Sequence, residues 1–332
     1  KISGLRKSTL EIYNRALNHF MECTGDMRIE CITLNHIDAF IDYSKCLSHA
    51  KTTININILI ISVPNICNHC TQLISNQWIV FEEKDYHSNC YENYIAPKCS
   101  LCLKILSGEY LVDAWGNPFH KSHEKKGIYC SSCSRIISEG VTQGGYKLDD
   151  GRFLCSLCQS NIVQSPSQID ASKKKVLTLL EKIGINGIKE GIPISLENRF
   201  TLQKLADEIA SSHLKGFTKF SYIKSPFRNL ASEFKIYILD RLPTIEFEAV
   251  LAHESLHVWL YENNIELPPT QREGFCNLAS AYIYQQNGSQ FSTIHLDSMD
   301  IDSDPNYGDG YRKMKLQLEK NGWELLLQTV QQ

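Results

Sequence analysis

Hydrophobic positions fall into three regimes along the chain. Up to about residue 63 they recur at helical spacing: Leu10, Tyr13, Leu17 and Phe20 form one stripe, and Ile37, Phe40 and Ile41 a second. Ser8-Thr9 and Thr33-Leu34-Asn35 precede those stripes as N-caps, and Pro64-Asn65 closes the region. From 66 to about 160 the helical period disappears. Short aromatic runs are punctuated there by Trp115-Gly116-Asn117-Pro118 and Asp149-Asp150-Gly151, which predict hairpins. Residues 161–172 are polar and read as a linker. Beyond them the pattern is mixed, with helices expected near 173–184, 199–212, 245–263, 271–286 and 311–328. The β-rich run Phe234-Lys-Ile-Tyr-Ile-Leu239 reads as a strand. The expected fold class is therefore multidomain α+β: a helical domain over 1–63, a β-hairpin module over 64–160, and a mixed α/β domain over 173–332.

Composition narrows the function classes. Of 332 residues, 42% are hydrophobic and 21% charged, which excludes a wholly disordered or collagenous chain. The net charge of -3 predicts no broad nucleic-acid surface. The longest apolar run, Ile54 to Val63, is about ten residues and too short to span a bilayer. The first ten residues carry no apolar core of a signal peptide.

Cysteine changes the picture most. Eight of the 13 cysteines form four C-x2-C pairs: Cys67/Cys70, Cys99/Cys102, Cys130/Cys133 and Cys155/Cys158. Two thiolates three positions apart on a tight turn can grip one metal ion, and tetrahedral zinc needs a second pair at hairpin distance. Cys67 and Cys70 are followed by His87-x2-Cys90, Cys99 and Cys102 by His120-x2-His123, and Cys130 and Cys133 by Cys155-x2-Cys158. Three tetrads are thus expected to hold three structural zinc ions. Tyr86 and Phe119, each just before a ligand histidine, would build the small core beside the metal. Free thiolates at this density point to a reducing, cytoplasmic setting.

The second chemical signal is His253-Glu254-Ser255-Leu256-His257. On a helix the two histidines share a face and can hold one zinc, while Glu254 can serve as general base on a water activated by that metal. Glu273, 16 positions after His257, supplies a carboxylate as third ligand beside the two imidazoles and leaves one corner open. Asn277, one turn on, is placed to orient a histidine, and Cys276 and Trp259 read as core. An oxyanion stabiliser is expected from Tyr307-Gly-Asp-Gly-Tyr-Arg312, whose glycines suggest a tight turn presenting Tyr307, Tyr311 or Arg312; His295 is a weaker candidate. The run Phe234–Leu239, shortly before this helix, is expected as the active-site edge strand. Asp297, Asp300, Asp302 and Asp304 read as a solvated acidic loop, since no Glu closes a calcium loop.

The knuckle spacing resembles LIM domains, with the first tetrad like the back half of one, and that resemblance implies protein–protein contact. The chain from about Cys67 onward resembles the LIM-containing zinc peptidases best known in plants, where they limit organ and seed size. Pro97-Lys-Cys-Ser-Leu-Cys102, Tyr146-Lys-Leu-Asp-Asp-Gly-Arg-Phe-Leu-Cys-Ser-Leu-Cys158, Ile192-Pro-Ile-Ser-Leu-Glu-Asn-Arg-Phe-Thr-Leu202, Leu251-Ala-His-Glu-Ser-Leu-His-Val-Trp-Leu260, Glu273-Gly-Phe-Cys276 and Tyr307-Gly-Asp-Gly-Tyr-Arg312 carry it. The resemblance implies a gluzincin-like endopeptidase acting on protein substrates and switched on by attached ubiquitin. No acidic ubiquitin-interacting helix is present in 1–63. That segment faintly resembles the helical clamp of tyrosine recombinases, but its seven Lys/Arg against six Asp/Glu do not make a DNA arm. The sequence thus predicts a zinc metalloendopeptidase, with a knuckle scaffold bearing an inactive peptidase domain as the alternative.

Overall fold

The computed structural model describes residue 18 and residues 66–331 other than 76, 126, 207–213, 226 and 227; for 222–232 it describes backbone only. The helices expected in 1–63 lie outside the described residues. The chain divides into two compact units, Lys1–Ala96 and Pro97–Gln332. This division separates the first tetrad from the other two, which share a unit with everything that follows.

In the first unit, β1 (Trp78–Phe81) pairs antiparallel with β2 (Lys84–His87). Cys67, Ile74 and Tyr86 are buried together, with Phe81, Cys90, Tyr91 and Ile95 packed around them.

The second unit begins with two more hairpins of the same construction: β3 (Tyr110–Val112) with β4 (Pro118–His120), and β5 (Gly145–Lys147) with β6 (Phe153–Cys155). They are joined through Asp113, which accepts from the backbone of Trp115, Asn117 and Ile136, and through the Trp115 indole, which donates to the Cys133 carbonyl at 2.6 Å.

Residues 161–172 are not a linker. Helix α1 (Pro166–Lys182) starts inside them on a capping box, in which the Ser165 hydroxyl accepts from Gln168 N and the Gln168 amide from Ser165 N. A three-stranded sheet follows in the order β7-β9-β8, with β7 (Ile194–Glu197) parallel and β8 (Gly216–Ser225) antiparallel to β9 (Arg228–Leu239). The expected strand at Phe234–Leu239 is thus the central strand, and β8 is an edge. Between β7 and β8 in the chain, α2 spans Arg199–Leu205; the part of the helix expected over 207–212 lies outside the described residues. Four helices complete the unit: α3 (Thr244–Glu262), α4 (Pro269–Asn287), α5 (Gln290–Ile301) and α6 (Gly308–Val330), the last broken at Gly322 where φ is 72°.

Helix α3 is buried on nearly every face, from Glu246 to Leu260, as expected for a helix at the centre of a core. Phe247, Leu251 and Leu256 are fully enclosed, and each contributes about 2–3 kcal/mol by burial. Its first turn is anchored from the third knuckle. Thr244 N donates to the Asn161 carbonyl at 2.9 Å, Val163 N to Leu242 O at 3.0 Å, and the Ser132 hydroxyl to the buried Glu246 carboxylate, which also pairs with Lys215 at 2.7 Å. Arg152 adds a second tie, to Asp150 at 2.8 Å and to both the carboxylate and the carbonyl of Asp240. The knuckle and the helical core therefore share hydrogen bonds that a boundary at 160–173 would cut. Among the described residues no helix is long and apolar enough to cross a membrane.

Candidate metal centre

The three knuckles repeat one local geometry. Cys67 N, Cys99 N and Cys130 N donate to Gln72 O, Lys104 O and Arg135 O at 2.8–2.9 Å, and the residue after each second cysteine (Thr71, Leu103, Ser134) adopts φ near 60°. The turn exposes both sulfurs on one side, where the end of the following hairpin brings the second pair. All three expected tetrads assemble: Cys67, Cys70, His87, Cys90; Cys99, Cys102, His120, His123; and Cys130, Cys133, Cys155, Cys158. None of these cysteines forms a disulfide.

The donor chemistry fits zinc. His87 Nε2 lies 3.1 Å from Leu73 O and His120 Nε2 3.2 Å from Ile105 O. A carbonyl only accepts, so the proton sits on Nε2 and the lone pair of Nδ1 faces sulfur, at 3.4 Å from Cys70 and from Cys102. Burial works against the Cys67 and Cys99 thiolates, but knuckle N–H groups, including those of Cys70 and Cys102, bring them down to about 5 and about 6. In the all-cysteine tetrad the Cys130 and Cys155 sulfurs push both Cys133 and Cys158 up. Crowded thiolates of this kind are relieved by a cation at their centre.

The fourth cluster sits on α3 and α4. His253 Nε2 and His257 Nε2 are 3.1 Å apart, and Glu273 Oε2 lies 3.3 and 3.4 Å from them. Tetrahedral zinc with bonds of about 2.0–2.1 Å holds its ligands about 3.3 Å apart, so the triangle has the size such an ion requires. The tautomers agree. His253 Nδ1 donates to Asn277 Oδ1 at 2.9 Å, while the Asn277 amide donates to Tyr307 O at 3.1 Å, so the His253 lone pair is on Nε2. Glu273 Oε2 is buried without a hydrogen-bond donor, the condition of a ligand oxygen. Burial opposes ionisation of Glu273, but the two imidazoles overcome it and hold the carboxyl well below its ordinary range. Cys276 also lies within metal range of the histidines. Its sulfur, however, is 3.6 Å from His257 Nδ1, away from the Nε2 triangle, and burial keeps the thiol protonated, so it supports the ring from behind.

Glu254 is 4% exposed, and its carboxylate accepts from the Thr218 hydroxyl at 2.7 Å. Gly216, two residues earlier on β8, lies so close that a Cβ would come within 2.4 Å of Glu254 Oε1. The edge strand over the helix is therefore β8. Thr218 was missed in sequence, although the aromatic and β-branched residues of Gly216-Phe-Thr-Lys-Phe-Ser-Tyr-Ile223 signal such a strand. His253, Glu254, His257, Glu273, Thr218 and Tyr307 all line one cavity of about 530 Å³.

The two candidate tyrosines separate. Tyr307, 37% exposed, faces His253 with ring centroids 6.3 Å apart. Tyr311 is 1% exposed, packs in the core and does not line the cavity; burial pushes its phenol up to about 12. The glycines of this segment do not make a turn. Gly308 and Gly310 open α6, and a Cβ on Gly310 would come 2.2 Å from Thr270 O, so they serve close helix contact. Arg312 instead donates to the carbonyls of Asp300 and Asp302 at the end of α5. Asp300 pairs with Lys315 at 2.7 Å, so this acid is an interhelical partner and not part of a solvated loop. His295 stacks on Tyr284, with Phe291 tilted against it, away from the cavity, where burial holds it down to about 4.

Paired zinc knuckles of LIM type, joined in one unit to a helix with an H-E-x-x-H face, define a LIM-like metal-binding protein. Its homologues are DA1, DA1-related and LIM domain-containing proteins. Protein DA1-related 1 of Arabidopsis thaliana is 24% identical over 64% of this chain and 45% of its own length, and Protein DA1 of the same plant 22% over 80% and 62%. LIM domain-containing protein B of Dictyostelium discoideum is 30% identical over 94 residues, 28% of this chain and 15% of that protein. The chain spans about half the length of the curated relatives it matches. No family model matches, and no solved structure matches.

Proposed function

We propose that the chain is a zinc-dependent endopeptidase of gluzincin type, holding one zinc at His253, His257 and Glu273 and three more in the knuckles. The observation that supports this most is the convergence of two imidazole lone pairs and an undonated carboxylate oxygen in the cavity that Glu254 lines. Zinc bound there supplies Lewis acidity, polarising a peptide carbonyl and making water acidic. Glu254 takes the proton of the attacking water and delivers it to the leaving amine. Thr218 fixes that carboxylate from the side of β8, and Asn277 fixes His253. Tyr307, at the edge of the cavity, is placed to donate to the developing oxyanion. The substrates are proteins, met in a reducing compartment where the knuckle thiols stay available.

Metal analysis tests this reading. The purified chain should carry zinc at all four sites and cleave an unfolded protein such as casein. His253→Ala with His257→Ala should lose one zinc and all cleavage while the knuckles keep theirs. Full zinc content or undiminished cleavage in the double variant overturns the reading.

The Thr218 bond makes a second expectation. Thr218→Val keeps the shape and removes the donor to Glu254, and should lower kcat about 10- to 100-fold with KM nearly unchanged. Thr218→Ser should restore most of the rate.

A further inference from the structure

The same cavity has a wall that the hydrolytic groups leave unused. Tyr261 follows His257 by one turn and His253 by two, so all three stand on one face of α3. The Phe220 ring of β8 stacks on it, centroids 4.7 Å apart and 25° from parallel. Phe234 closes the back of this cluster, edge-on to both rings at 5.4 and 5.5 Å. Phe234 is buried while Phe220 is 37% exposed, so the open side of the cluster belongs to Phe220. Leu260, Ile265 and Leu267 continue the wall in the same cavity. Of its charged groups outside the reaction site, Arg272 is engaged by Glu273 at 3.3 Å and Glu266 is exposed to water.

We propose that this aromatic wall is a specificity subsite for a large apolar side chain, aromatic by preference, on a residue flanking the scissile bond. The inference rests on the peptidase reading and adds the substrate class. Continuity with the metal centre argues for a substrate side chain as the occupant, because a peptide whose carbonyl reaches the His253–His257–Glu273 triangle must place a neighbouring side chain within the same cavity. Aromatic faces reward an aromatic or aliphatic occupant through ring stacking and release of water. A charged occupant would lose its hydration against rings and aliphatic carbons.

The test uses the full chain and a set of ten-residue fluorogenic peptides of Gly, Ala and Ser, each with Phe, Leu, Gly, Asp or Lys at one central position. The Phe peptide should be cut beside that residue with kcat/KM about tenfold or more above the Gly, Asp and Lys peptides. Phe220→Ala should remove most of that preference, lowering kcat/KM for the Phe peptide at least about fivefold more than for the Gly peptide. Phe220→Leu, the gentler change, should lower the Phe preference and keep the Leu peptide a good substrate. Equal or faster cutting of the Lys or Asp peptide, or an unchanged preference in both variants, overturns the inference. Should short peptides be cut too slowly, fluorescence anisotropy with Glu254→Gln replaces kinetics; binding of the Phe peptide no tighter than the Gly peptide again overturns it. Failure of the peptidase reading shows differently, as cleavage that persists undiminished in Glu254→Gln.

Discussion

Glu254→Gln should keep its zinc and lose proteolysis by about 10²–10⁴-fold or more, the range a positioned general base contributes. The carboxylate is buried, held by the Thr218 hydroxyl, and separate from the three ligand atoms. An amide has the same shape, so it fits beneath Gly216, where there is no room for anything larger. It can still accept a hydrogen bond from Thr218, but it cannot take a proton from water. Retained metal with lost activity is therefore the signature of a base. Metal analysis beside a casein assay reads both. Loss of zinc in this variant would make Glu254 a ligand, and full activity would remove the mechanism.

Arg152→Ala should destabilise the second unit by about 3–5 kcal/mol, the usual cost of leaving a buried charge without its partner. The Arg152 side chain is 5% exposed and Asp150 2%, and the guanidinium is shared between Asp150 and Asp240. Burial opposes ionisation of Asp150, but the backbone N–H groups of Arg199 and Arg152 and the charge of Arg152 prevail and hold its carboxyl below the ordinary 3.8. A carboxyl depressed in the folded state stabilises above its unfolded value and ceases to do so as pH falls through the lower, folded one. The gap between wild type and variant should thus be full at pH 7 and start closing only below about 3.8. Urea titrations at pH 7 and 3 would measure it. By the same contacts, residues 173–332 alone lack Ser132, Arg152 and Asn161 and should not fold. A stable, cooperative fragment would show that the knuckle is a mere appendage.

Local features were legible in sequence. His253 and His257 are four apart on one helix, and each C-x2-C pair closes on a turn of its own, so spacing alone places their donor atoms. Glu273 was within reach because only a short loop separates α3 from α4. What escaped depends on packing between distant segments. The run at 234–239, apolar but for Lys235, forms the central strand of the sheet, whereas the more polar run at 216–223 belongs to the edge, so the role of edge strand went to the wrong segment. Tyr307 and Tyr311 are one helical turn apart and chemically identical; only the seating of α6 against α4 puts one in the cavity and the other in the core. The polar stretch at 161–172 hid a start signal, Ser165-Pro166-x-Gln168, whose capping box was readable from its spacing.

The crossing of α4 and α6 carries a consequence of its own. A methyl group on Gly274 would come 2.2 Å from Gly310 O, so the two backbones touch there with nothing between them. One turn further along α4, Asn277 reaches across to Tyr307 O and back to His253. The bare crossing works as a fixed gauge: it sets how near the last helix may come, and through Asn277 it passes that spacing on to the tilt of an imidazole. A single added carbon would reset the gauge without altering any group that meets the substrate.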